Sequence, residues 1–234
     1  LEFFDPQTHQ SKGKFKVAKV GNLPNLPSDE AATYGPLSGI VKSVTLETAA
    51  QLSARDRYIN LSASGAGFAV RNCQFGPLRY RGMLIRTADG VVENNLICGT
   101  GNGGIYLESC FGADSEGPYV QNVVVRNNTL RDIGAFPGWD KGFGIWVVDF
   151  NWPKPQTADL AHNHNQIQIT GNRIDGTANT GIRVMNADDV VISGNVLQNI
   201  GSRRNFDQKN IVPVLVTDSA NIRQNDNQII EEQP

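Results

Sequence analysis

A phrase that returns along the chain limits the folds open to it. Its cleanest copy is Tyr80–Ile97: a glycine opens a short apolar strand (Gly82, Met83, Leu84, Ile85), a polar turn follows, then a second strand (Val91, Val92) and an asparagine with an apolar residue two positions on (Asn95, Ile97). The phrase returns as Gly104-Ile-Tyr-Leu with Asn128, as Gly144-Ile-Trp-Val with Asn172, and as Gly181-Ile-Arg-Val with Asn195. A degenerate copy reads Pro213-Val-Leu-Val with Ile222-Arg-Gln-Asn225. Asn172 and Asn195 stand 23 residues apart, and Cys73, in the same slot of an earlier copy, stands 22 before Asn95. A repeat of this size, built of two or three short strands without helical periodicity, predicts a solenoid.

The expected fold is therefore all-β: a right-handed parallel β-helix like that of pectate lyases, over residues 59–234 and about six coils, preceded by a small antiparallel β unit over residues 1–58. Coils would stack at about 4.8 Å. The repeated asparagines would form an internal amide ladder, a structural role and not a site. In the N-terminal unit, Leu1–Phe4, Lys14–Val20 and Ile40–Glu47 have strand length and composition, with Phe3 and Phe4 as core residues.

Composition narrows the function. A net charge of −2 with mixed signs argues against a nucleic-acid surface, and no apolar run approaches membrane-spanning length. The three cysteines, Cys73, Cys98 and Cys110, read as buried thiols. His162 and His164 lack an acid or cysteine at metal-ligand spacing, so no metal and no cofactor is expected. Asp188-Asp189 is placed to bond turn amides. The chain opens in mid-phrase at Leu1 and reads as the remainder of something longer. An uncapped coil would expose strand edges, so a capping segment or a partner chain is expected, a homo-oligomer among the forms.

Insertions enlarge two corners, after the Gly-Ile strand (109–119 and 149–165) and after the asparagine (131–143 and 201–212). Such insertions build the binding face of a solenoid. In Gly-Ile-x-Val the apolar pair points inward, so Leu84, Tyr106, Trp146 and Arg183 form one outward row and Arg86, Glu108, Val148 and Met185 the next. An exposed strip with Tyr106 and Trp146 beside Arg86 and Glu108 suits a sugar platform. Acidic residues crowd the insertions: Asp114 and Glu116 in the first, Trp139-Asp140 at the second corner, Asp149 on the next coil. Glycoside hydrolysis needs two carboxyl groups about 5–5.5 Å apart for retention or about 6.5–9.5 Å for inversion, a spacing adjacent coils can supply.

Leu1-Glu-Phe-Phe-Asp-Pro-Gln-Thr8, Gly13-Lys-Phe-Lys-Val17, Arg79-Tyr-Arg-Gly-Met-Leu-Ile85, Val92-Glu-Asn-Asn95 and Glu108…Ser115-Glu116-Gly117…Asn122-Val-Val-Val-Arg-Asn-Asn128 follow one another in an order that resembles the bacterial exo-α-1,3-galactosidases, over most of the chain. That family comprises β-helix glycosidases that remove terminal galactose from blood-group-B-type glycans. The chain departs from its pattern at Cys110, where the family has an aspartate, and at Ser115-Glu116-Gly117, where the family order is Glu-Ser-Gly. The family's paired catalytic aspartates lie upstream of the matched segment, so the resemblance implies its C-terminal portion.

The combined expectation is a secreted or periplasmic, inverting α-galactosidase-like glycosidase acting on an oligosaccharide or polysaccharide, with neither nucleic acid nor membrane as partner. Glu116 or Asp114 would be the acid/base; Arg81, Arg86 and Glu108 would hold hydroxyls; Tyr106 and Trp146 would form the platform, with Trp139, Asp140 and Asp149 alongside. A non-catalytic carbohydrate-binding fragment and a polysaccharide lyase are the alternatives.

Overall fold

In the computed structural model the described residues are 1–22, 42–110, 117–136, 142–149, 161–202 and 211–230. Beyond short N-terminal strands, the chain makes successive rounds of three strands, each strand in a different sheet. The N-terminal strands are β1 (Glu2–Phe4), β2 (Ser11–Lys14), β3 (Val17–Asn22), β4 (Lys42–Leu46) and β5 (Arg57–Ile59), and a 3₁₀ turn follows at Leu61–Ala63. The first round is β6 (Ala69–Arg71), β7 (Gln74–Phe75) and β8 (Met83–Ile85). The second is β9 (Gly90–Glu93), β10 (Leu96–Thr100) and β11 (Ile105–Ser109). The third is β12 (Gln121–Arg126), β13 (Thr129–Ile133) and β14 (Ile145–Asp149). The fourth is β15 (His164–Thr170), β16 (Arg173–Thr177) and β17 (Ile182–Met185). The fifth is β18 (Ala187–Ser193), β19 (Val196–Gln198) and β20 (Val214–Thr217), and β21 (Ala220–Asn225) and β22 (Gln228–Ile230) begin a sixth.

Each strand pairs in parallel with the strand three later, giving sheets β6-β9-β12-β15-β18-β21, β7-β10-β13-β16-β19-β22 and β8-β11-β14-β17-β20. One core runs through all three. Ile105, Leu107, Ile145, Val147, Ile182 and Val184 enter it from the third sheet, Val123, Val125, Ile167 and Ile169 from the first, and Ile97, Leu130, Ile174 and Leu197 from the second.

The asparagine ladder forms as expected, and its local cause is visible. The residue before each ladder position has positive φ: Asn94 (56°), Asn127 (55°), Gly171 (63°) and Gly194 (62°). Glycine and asparagine tolerate that region best, which explains the Asn-Asn and Gly-Asn pairs. From Asn128 on, each ladder carbonyl accepts twice from the asparagine before it. Asn128 N–H and Nδ2 both reach Asn172 Oδ1 at 3.0 Å, while Nδ2 also donates to Val92 O at 2.9 Å. The last rung differs from expectation. It is Asn227, which accepts from Asn195 at 3.1 and 2.9 Å, and Asn225 lies exposed beside Asp226. A two-residue slip keeps every side chain on its face, so the apolar pattern alone could not distinguish the two registers.

The strand-opening glycines are required by close approach. A Cβ on Gly104 would lie 2.3 Å from Gly144 O, and one on Gly144 would lie 2.5 Å from Gly181 O.

The N-terminal segment makes two antiparallel sheets where one unit was expected: β2-β1-β5 and β3-β4. The expected strand Lys14–Val20 is broken, with β2 ending at Lys14 and β3 starting at Val17. Phe4 is buried against Tyr119 at 5.3 Å between centroids, which joins the first sheet to the repeats, whereas Phe3 is half-buried. The cysteines are all free thiols but do not share one environment: Cys110 is buried, Cys98 half-buried and Cys73 exposed. Cys73 occupies a ladder position through its backbone N–H, which reaches Asn95 Oδ1 at 3.0 Å, so its side chain is not drawn inward.

Candidate functional site

The third sheet carries the outward rows in the expected register. Leu84, Tyr106, Trp146 and Arg183 are neighbours across β8, β11, β14 and β17, and Glu108 pairs with Val148. Glu108 lies at the centre, 3% exposed. Arg86 forms a very short ion pair with its Oε1, and Arg81 Nη2 stands 3.6 Å from its Oε2. The two guanidiniums thus take one carboxylate oxygen each. Arg81 also lies over the rings of Tyr80 and Tyr106, at 4.5 and 5.2 Å, an arrangement that favours a cation over an aromatic face.

The aromatic strip is not an exposed platform. Tyr106 is fully buried and Trp146 is 6% exposed; they meet edge to face at 90° with centroids 5.1 Å apart. With Phe143 and Val148 they make a separate apolar cluster outside the main core, onto which Met185 packs. Outward-pointing side chains of this size form edge-to-face pairs readily, and the pair here leaves no ring face open to stack a pyranose. Burial raises the Tyr106 phenol well above its ordinary range, and its hydroxyl donates to Asn102 Oδ1 at 3.0 Å. Trp146 Nε1 and Arg81 Nε are buried without a hydrogen-bond partner.

Gly117 ties the first insertion to this face. Its φ is +72°, and a Cβ there would fall 2.4 Å from Arg86 Cβ. The end of the Glu116 loop therefore returns directly against the arginine that clamps Glu108. Asp114, Glu116, Trp139 and Asp140 lie outside the described residues.

Asp149 belongs elsewhere. On β14 it shares a face with Ile145 and Val147, so it points into the interior and not toward the outward rows. Its Oδ2 accepts from His9 Nδ1 at 2.6 Å and from the Tyr119 hydroxyl at 3.3 Å, and its Oδ1 accepts from Ser109 Oγ at 3.1 Å. Beside it His164 is fully buried. Its Nδ1 accepts from Val120 N–H at 3.1 Å, which puts the ring proton on Nε2 facing Val148 O at 3.0 Å. Desolvation lowers the His164 pKa from its ordinary value of 6.5. His164 is thus a structural bridge in β15. Among the described residues no group of three or more His, Cys, Asp and Glu side chains could hold a metal ion.

Three residues at this face escaped the sequence-based site. Arg183 stands in the predicted outward row and lies over Phe143 and Trp146, at 5.1 and 5.7 Å. Phe143 precedes the strand-opening glycine, a position that the phrase leaves variable. Asn102 sits in the glycine-rich corner Gly101–Gly104, which reads as a simple turn.

No protein-family model matches this chain, and no curated protein matches it at a significant level. Among the described residues no helix is long and apolar enough to cross a membrane.

Proposed function

We propose that the chain is a right-handed parallel β-helix that acts on carbohydrate, as a glycoside hydrolase of the α-galactosidase-like kind. The rotation of successive strands through three parallel sheets supports the fold reading. The observation that carries the functional reading is the clamp on the third sheet: Glu108 held between Arg81 and Arg86, with the returning end of the Glu116 loop packed on Arg86. Carboxylate and guanidinium groups set on a rigid sheet, beside apolar rings, are the polar anchors a sugar site uses. Glu116 and Asp114 are the proposed acid/base residues, while Glu108, Arg81 and Arg86 hold hydroxyl groups. Secretion and an oligosaccharide or polysaccharide substrate belong to the same proposal.

A second reading, carbohydrate binding without turnover, is favoured by one feature of the clamp. Both oxygens of Glu108 are engaged by guanidiniums, which suits holding a substrate more than moving a proton. Galactose release from an α-1,3-linked galactobiose separates the readings. Release that is lost in Glu116→Gln but reduced only through KM in Arg86→Lys supports hydrolysis. Binding of the disaccharide without release over long incubation supports the second reading. Absence of both binding and release overturns the carbohydrate assignment.

A further inference from the structure

Polar side-chain atoms inside proteins are almost always partnered, so those that are not point to something that completes them. Among the described residues the unpartnered buried nitrogens include Trp146 Nε1, Arg81 Nε and Asn102 Nδ2, and the remaining unpartnered atoms include the hydroxyls of Thr87, Thr100 and Thr217. No buried side-chain carboxylate or amide oxygen is among them. At the three nitrogens the unmet capacity is on the donor side, since none of them can accept.

Its location is as informative as its sign. All three nitrogens belong to side chains in contact with Tyr106: Asn102 receives its hydroxyl proton at 3.0 Å, Arg81 lies over its ring at 5.2 Å, and Trp146 meets it edge to face at 5.1 Å. Trp146 is more than nine-tenths buried, and an indole N–H can only donate. Arg81 Nε is equally restricted to donation, and the guanidinium contacts Glu108 only at 3.6 Å.

Sugar hydroxyls complete such a set poorly. Each hydroxyl that accepts from Trp146 or Arg81 brings an O–H that needs an acceptor of its own, and Glu108, the carboxylate on these rows, already serves two guanidiniums. A carboxylate or sulfate brings several lone pairs and no proton to place. Hydrogen bonds from N–H to an anionic oxygen are also stronger than those to a neutral one. From these observations we infer that the face around Tyr106, Trp146 and Arg81 binds the anionic substituent of an acidic sugar, a carboxylate or a sulfate ester, in preference to a neutral galactoside. The inference rests on the carbohydrate reading and specifies the class of sugar.

Titration calorimetry of the whole chain with D-galacturonic acid, galactose 6-sulfate and D-galactose at pH 7 tests it. The expected result is at least about tenfold tighter binding of one of the acids than of galactose, with the preference weakened by added salt. Which acid wins distinguishes carboxylate from sulfate. Trp146→Phe keeps a ring and removes the N–H, and Arg81→Gln removes the cation; each should reduce the preference for the acid more than the affinity for galactose. Should Arg81→Gln not fold, Trp146→Phe carries the test alone. Equal or tighter binding of galactose, or a preference unchanged in the folded variants, overturns the anionic inference and leaves the carbohydrate reading standing. Binding of none of the three sugars overturns both.

Discussion

His9 Nδ1 lies 2.6 Å from Asp149 Oδ2, although the two stand 140 positions apart in the chain, and both side chains are buried. The contact pins the N-terminal β1–β2 turn to the end of β14. Neighbouring bonds reinforce it: Asn163 Nδ2 donates to His9 O at 2.6 Å, and Ala161 N–H to Thr8 O at 3.1 Å. The strand ends at Ser109 and Asp149, joined by their own 3.1 Å bond, are those of the strands that carry Tyr106, Glu108 and Trp146.

Replacing Asp149 by alanine would leave His9, Tyr119 and Ser109 as buried donors without their shared acceptor. With about 1–3 kcal/mol for each polar group left unpaired in the interior, the loss should reach several kcal/mol. Urea denaturation should show that loss in Asp149→Ala, and a cycle with His9→Leu should recover part of it in the double variant. A cost below about 1 kcal/mol would show that solvent reaches the seam.

The ladder gives a sharper contrast. Asn172→Leu removes the acceptor for two bonds from Asn128 and the side-chain amide that donates to Val125 O, Thr170 O and Asn195 Oδ1. With about 1–3 kcal/mol for each polar group left unpaired in the interior, the loss should be several kcal/mol. Exposed Asn225→Ala should stay within about 0.5 kcal/mol. Equal effects at the two positions would contradict the register of the last rung.

Stability should fall with acid in a window set by His164. The folded state resists protonation because the ring is desolvated and its Nδ1 lone pair accepts from Val120, whereas the unfolded histidine takes a proton near 6.5. As pH falls through that value the unfolded state gains a proton that the folded state refuses, so stability decreases; above it this group makes no difference. Depressed carboxylates such as Asp5, held by the amides of Thr8 and Gln7, act only further down, below the ordinary 3.8. Midpoints of urea unfolding between pH 7.5 and 5 should therefore decline in the native chain and lie flatter in His164→Gln.

Gly144→Ala places a methyl 2.5 Å from the carbonyl of Gly181, which cannot move without shifting β17. Overpacking of this kind costs about 1–3 kcal/mol. Thermal unfolding should register it, and the near-ultraviolet circular dichroism of Trp146, two residues on, should change. A neutral variant with an unchanged spectrum would mean that the strands are less closely stacked than described.

Much of the architecture was legible locally. The Asn-Asn and Gly-Asn pairs announce a left-handed residue before each ladder rung, and alternation in Gly-Ile-x-Val separates Ile145 and Val147 from Trp146. The same alternation places Tyr106 and Trp146 correctly on the outer face, yet it could not tell whether that face was open. Burial depends on what other segments lay over it. Asp149 was misread for a related reason: its acidic neighbourhood in sequence suggested an open loop, but strand phase turns it inward.

The amino-acid sequence by itself determined the period, the inward rows and the rung-bearing corners, because these follow from steric limits on single residues and from a two-residue strand repeat. Only the tertiary structure decided that Tyr106 and Trp146 are enclosed, that Arg81 and Arg86 converge on Glu108, and that His9 meets Asp149. Those outcomes depend on which distant segments pack together, and no local periodicity encodes such a distance.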